Sequence, residues 1–394
     1  MMKFKVFHQT GFRHNWNIDS LVEDGCGDGL IIAPRYMPRD FVDKMDPIIL
    51  EASMFDPQFF LPDTAKGKLE TFDFFPQVSS DGFETEDFSD NHAAECAHLC
   101  IEYQKSLGLA YVTIPTRYLP GTPSDFIDRQ RGLFVDPFIS EIRDNTVNRP
   151  VLLQLVLNDL MVKDEDYISD ILNWITGIEI DGIYLIVEKN STSKQIKDSE
   201  LLLSLLYIIT ALKENDLIVV MGYLNTESLL LSLAEPDVVT IGAYENLRSF
   251  SIRAFQELEK TQIQGPNPRL YMSQLLQWVE YPYVGLLRKM YPNGEIFDDT
   301  PYQAEMFKKT FNWHFSKPQL YKHHFSVISS QLKSLSELNG KERFDSFSEM
   351  TKSAIEKYEE LSEKGMVFDG NSDGSHLYIW LTVANLYAAE MRWR

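Results

Sequence analysis

The sequence predicts an α/β protein, a (β/α)8 TIM-type barrel with an N-terminal extension and a C-terminal helical region. Three observations predict it. Short apolar runs rich in β-branched and aromatic residues recur at intervals of roughly 20 to 50 residues between 30 and 280. Most are continuous rather than alternating, as in strands covered on both faces of a parallel sheet. Helical patterns with recognisable start signals lie between them. An open doubly wound sheet is the alternative architecture.

In chain order, residues 1–29 read as the N-terminal extension. Strands are predicted at LIIAPRY (30–36), QFFLPD (58–63), AYVTIPTRY (110–118) and VLLQLVLND (151–159). Four more follow at GIYLIVE (182–188), LIVVMGY (217–223), VVTIGAY (238–244) and RLYMSQ (269–274). Helices are expected in PRDFVDKMDPIILEA, NHAAECAHLCIEYQKSLG, EDYISDILNWITG, DSELLLSLLYIITALKEN and TESLLLSLA, with Asp198 as an N-cap. Residues 63–91 form an insertion with eight acidic and two basic residues. It is expected to loop over the barrel mouth as a lid or binding segment. From 281 to 394 the pattern is helical. One helix there sets Phe344, Phe347, Met350, Ala354, Tyr358 and Leu361 on a single stripe, with Gly365 as its stop.

The chain has 394 residues, 44% of them hydrophobic, enough for a large core, and a formal net charge of -21. That charge repels phosphate backbones and anionic lipid, and so disfavours nucleic acid and membrane as partners. Three cysteines suggest no disulfide framework. The apolar stretch 201–212 is too short to span a bilayer, and MMKFKVFHQT lacks the apolar segment of a secretory leader. A cytoplasmic location is expected.

In a barrel of this type, chemistry sits at the C-terminal ends of the strands. The predicted ends supply a polar ring. Glu245, Asp159 and Glu188 are the candidate acid, base or nucleophile. Asp159 and Glu245 would face each other across the mouth, as paired carboxylates do in glycoside hydrolases. The candidate ligand-binding residues are Arg35, Asp63, Arg117, Asn158, Tyr223, Tyr244 and Asn246. Arg35 and Arg117 would hold an anionic group or neutralise nearby carboxylates. His92, Cys96 and Cys100 share one helix but lack zinc spacing, and read as core. Phosphate-loop, dinucleotide-binding and nucleophile-elbow signatures are missing, so no cofactor or metal is expected.

The stretch VVMGYLNTESLLLSLAEPDVVTIGAYENLRSF resembles the tRNA-guanine transglycosylases. Met221-Gly222, Thr226-Glu227 and Pro236-Asp237 carry the resemblance. Thr240 stands where that family has its nucleophilic Asp, and the family's zinc segment has no counterpart. The resemblance implies the barrel, and implies lost or relocated base exchange with Glu245 the nearest carboxylate.

Two functional expectations follow. The first is an enzyme, or a protein derived from one, acting on a small polar ligand such as a nucleobase, nucleoside or sugar derivative. The second is a non-catalytic subunit of a multi-protein prokaryotic assembly, such as an antiviral defence system. Its partner would meet the 63–91 loop or the C-terminal helices.

Overall fold

The structure is a computed structural model, and it describes residues 3–61, 67–75, 90–145, 147–189, 194–256 and 265–394. Eight parallel strands form a barrel: β1 (Lys5–Gln9), β2 (Gly29–Ile32), β3 (Met54–Phe55), β4 (Val112–Ile114), β5 (Val151–Asn158), β6 (Gly182–Glu188), β7 (Ile218–Met221) and β8 (Val238–Gly242). Their order around the sheet is β3-β2-β1-β8-β7-β6-β5-β4. Strand β1 pairs with β8, which closes the sheet on that side. The β3/β4 seam is stitched by Ala110 N–H to Ser53 O at 2.9 Å and Tyr118 N–H to Phe60 O at 3.0 Å. The continuous apolar runs explain the architecture. Every residue of β5 is buried, because helices cover its outer face and side chains fill its inner one.

Three strand assignments change. The barrel begins at Lys5, inside the stretch expected to be an extension. Its apolar core is only Val6-Phe7, and it ends on the buried polar pair His8 and Gln9. Those side chains survive burial through internal bonds: the His8 ring meets Cys26 O at 2.7 Å, and the Gln9 amide oxygen accepts from Tyr184 at 3.4 Å. The second expected strand, 58–63, is displaced to Met54–Phe55, because Gln58 takes a left-handed φ of 59° and ends the extended run. The eighth, 269–274, leaves the barrel. It pairs antiparallel as β9 (Arg269–Met272) with β10 (Gln277–Glu280). Leu276, at φ 46°, turns the chain between them, and Arg269 donates to Glu280 at 2.8 Å across the hairpin's open end.

The C-terminal region comprises helices Tyr281–Met290, Pro301–Met306, Pro318–Ser336, Gly340–Glu363 and Ser375–Glu390. The helix Gly340–Glu363 opens with a capping box from Asn339 and Glu342 and buries Phe344, Phe347, Ala354 and Leu361 along the expected stripe. Gly365, at φ 81°, follows its end. Two of these helices join the barrel's outer layer. Pro318–Ser336 packs on β1, β8 and the helix Asn15–Val22, and Ser375–Glu390 packs on Ser199–Glu214. No helix among the described residues is long and apolar enough to cross a membrane.

Within residues 67–75 of the acidic insertion the apolar side chains Leu69, Phe72, Phe74 and Phe75 are buried, while Lys68, Glu70, Thr71 and Asp73 are exposed. Phe72 and Phe74 are buried against Phe55 and Tyr103. Cys96 lies beside them, its thiol donating to Phe74 O at 3.2 Å, and burial pushes the Cys100 thiol up to about 12.

Candidate functional site

The barrel mouth is closed by aromatic rings. Phe60, Tyr223, Phe250 and Phe255 are all buried, each following a different strand end or loop turn. Phe60 sits 5.0 Å from Phe250 and 4.7 Å from Phe255, and Tyr223 sits 5.1 Å from Phe250, between ring centres. Glu188 anchors this plug. Its backbone bridges to Phe250 and its carboxylate accepts from Ile252 N–H at 2.8 Å. Tyr118 also hydrogen-bonds Glu188, its phenol pushed up first by burial and then by that carboxylate.

A polar cluster lies on the barrel's inner face. Asp56 accepts from the Gln154 amide at 2.6 Å, from Gln58 N–H at 3.1 Å and from the Tyr184 hydroxyl at 3.4 Å. Burial raises its carboxyl from 3.8 to about 7, outweighing those hydrogen bonds. Gln9 Nε2 and Gln154 Oε1 are buried there without a hydrogen-bond partner among the described residues.

A solvent-reaching cavity of about 110 Å³ lies at the rim, among the loops after β6, β7 and β8 and the β9–β10 hairpin. Its lining includes Lys194, Asn225, Glu245, Arg248, Arg269 and Trp278. Glu245 is half-buried; it pairs with Lys194, and Arg269 lies 3.9 Å away. Burial acts to raise its carboxyl, but Lys194, Arg248 and Arg269 together hold it below the ordinary value. Arg248 stacks on the Trp278 ring at 3.8 Å and donates to Ala243 O at 2.8 Å. Burial lowers its guanidinium to about 10, so it stays charged at neutral pH. The turn carrying Glu245 and Arg248 is fixed by Gly242, where a Cβ would lie 2.4 Å from Leu247 O. Beneath the cavity, Gln195 donates to Gln277 at 2.8 Å, and Lys189 pairs with Glu227 with both side chains buried.

From Trp278 an aromatic band runs outward through Tyr321, Tyr244 and Trp16, with successive ring centres 6.3, 5.0 and 5.8 Å apart. It ends at the exposed Phe12 beside Tyr244. Two larger cavities, of about 570 and 700 Å³, lie away from the strand C-terminal ends. The first is at the opposite barrel face, where Lys213 pairs with Asp237 and Arg343 with Glu235, an arrangement that serves stability.

The rim cavity takes in Glu245 and neither Asp159 nor Glu188. Asp159 is half-buried in the first turn of the short helix Asp159–Lys163, which packs toward Ser199–Glu214. Asn158 caps that helix, accepting from Leu160 and Met161 N–H, and its amide donates to Gly121 O at 2.7 Å. Its hydrogen-bonding capacity is thereby committed. Arg35 is committed too. It donates to Ala254 O and stacks over Phe255 at 4.9 Å, holding the plug. Arg117 is buried over Phe134, its backbone bracketed by the Gln130 amide. Tyr223, at φ 55°, is part of the plug. Tyr244 sits in the aromatic band, and Asn246 is exposed in the turn beside Glu245. Asp63 lies outside the described residues.

Arg248, Arg269, Lys194 and Trp278 were not foreseen. The one sequence signal for Arg248 is its place three residues after Glu245 in a short turn. Arg269 and Glu280 become visible as a pair only once 269–280 is a hairpin. Compared with known proteins, the chain matches no family model and no curated sequence.

Proposed function

We propose that this barrel binds a small polar ligand, a nucleobase, nucleoside or sugar derivative, at the rim cavity, with Glu245 contacting its reacting part. The observation that carries this reading is the state of Glu245. It is a half-buried carboxylate in a cavity at the strand C-terminal face, kept ionised by three cations. An ionised carboxylate suits a nucleophile, or stabilisation of positive charge developing on a sugar ring, better than it suits a general acid. The aromatic band beside it offers a stacking surface for a planar ring. Asp159 and Glu188 have no direct part in this chemistry.

Saturation-transfer NMR against a panel of nucleobases, nucleosides and sugars tests the proposal. Transfer to at least one compound class is expected, with a roughly tenfold loss of affinity in Glu245→Ala, the cost of about one charge-assisted hydrogen bond. Transfer that persists unchanged in that variant overturns the assignment.

The aromatic plug favours a second reading. A mouth closed by Phe60, Phe250 and Phe255 suits a barrel that has ceased to turn over substrate and serves in a cytoplasmic multi-protein assembly, such as an antiviral system.

A further inference from the structure

We infer that the rim cavity receives a phosphate monoester group, so that the ligand of this site is phosphorylated; the inference rests on reading the cavity as the ligand site. The donor set points to it. Arg248 is only 5% exposed, and no carboxylate among the described residues comes within ion-pair distance of it. Its Nε–H is buried without a hydrogen-bond partner among the described residues, and so are Arg269 Nε and Trp278 Nε1. All three residues line the same cavity. Buried N–H groups without a partner, on residues that line one cavity, suit an oxyanion such as a phosphate monoester.

Charge agrees with this. The cations at and beneath the cavity are Lys189, Lys194, Arg248 and Arg269, and the carboxylates there are Glu227, Glu245 and Glu280. Among the described residues one positive charge is left over, inside a protein of net charge -21. A buried cation without a counter-charge is costly, and a bound oxyanion offsets that cost. Arginine, with its fixed fork, is also the side chain suited to phosphoryl oxygens. A cavity of about 110 Å³ that reaches solvent has room for a tetrahedral oxyanion.

Isothermal titration of the full chain with inorganic phosphate, ribose 5-phosphate and acetate tests this. Phosphate is expected to saturate one site. Trp278→Phe keeps the ring under Arg248 but removes one N–H, and should weaken phosphate about tenfold. Lys194→Ala, at a half-exposed position that does not threaten folding, should weaken it several-fold. Tighter binding of ribose 5-phosphate than of inorganic phosphate assigns a phosphorylated metabolite, and equal binding assigns free phosphate. Acetate binding as tightly as phosphate overturns the inference, as does phosphate binding that both variants leave unchanged. Failure of phosphate to bind, while a neutral compound shows Glu245-dependent transfer, removes this inference and leaves the proposed function standing. Phosphate binding with no Glu245-dependent ligand does the reverse.

Discussion

An Asp56→Asn variant is expected to lose most of the fall in stability that the native chain shows as pH rises from about 4 to about 7. The Asp56 carboxyl is buried on the barrel's inner face and titrates near 7 in the folded protein, against 3.8 ordinarily. Between those values the folded chain holds a proton that the unfolded chain has released. Stability from this group is therefore complete below about pH 4 and is lost as pH climbs through about 7. The difference is on the order of 4 kcal/mol. Asparagine keeps an acceptor for Gln154 and Gln58 N–H and supplies the donor that the protonated acid would offer. His8, pushed down to about 4 by burial, and His376, to about 3, have the opposite slope, but they are common to both proteins. Chemical denaturation of the two proteins at a series of pH values isolates the effect. Parallel curves would mean that Asp56 stays ionised in the folded barrel.

Arg343→Ala is expected to destabilise the chain by about 3 to 5 kcal/mol. That guanidinium is 1% exposed and donates to Leu335 O, Leu338 O, Ser232 O and Glu235 at 2.8 to 3.1 Å. It thereby joins the helix Gly340–Glu363 to the turn before β8, and its loss leaves three carbonyls short of a donor. For a protein of this size the melting temperature should drop by about 5 °C. Lys341→Ala, which breaks only the exposed pair with Asp345, should cost less than about 0.5 kcal/mol. Equal effects from the two would mean that the C-terminal helices do not brace the barrel.

The sequence made the barrel legible where its strands are long and apolar. Val151–Asn158 and Gly182–Glu188 stand out as continuous runs, and Asp198 caps its helix as expected. Lys5–Gln9 did not stand out, because hydrogen bonds rather than hydrophobicity make His8 and Gln9 tolerable inside. The omission shifted the count of strands by one, and RLYMSQ filled the vacant place. Glu245, three residues after the end of β8, lines the rim cavity. The predicted strand ends also named Glu188, Arg35 and Asn158, whose side chains turn out to hold loops and a helix start. A polar residue at a strand end has the same sequence signature whether it meets a ligand or ties down a loop. Asp56 was missed because the strand ahead of it is two residues long. Met221-Gly222, part of the transglycosylase resemblance, has a packing reason of its own: a Cβ at Gly222 would lie 2.6 Å from the Tyr184 ring.

Native mass spectrometry of the protein purified gently from its own host tests the central claim most directly. The account predicts a mass above that of the chain, one small molecule per chain, absent from Glu245→Ala. A stoichiometric protein partner with no small molecule would contradict it and make the barrel a structural component of an assembly.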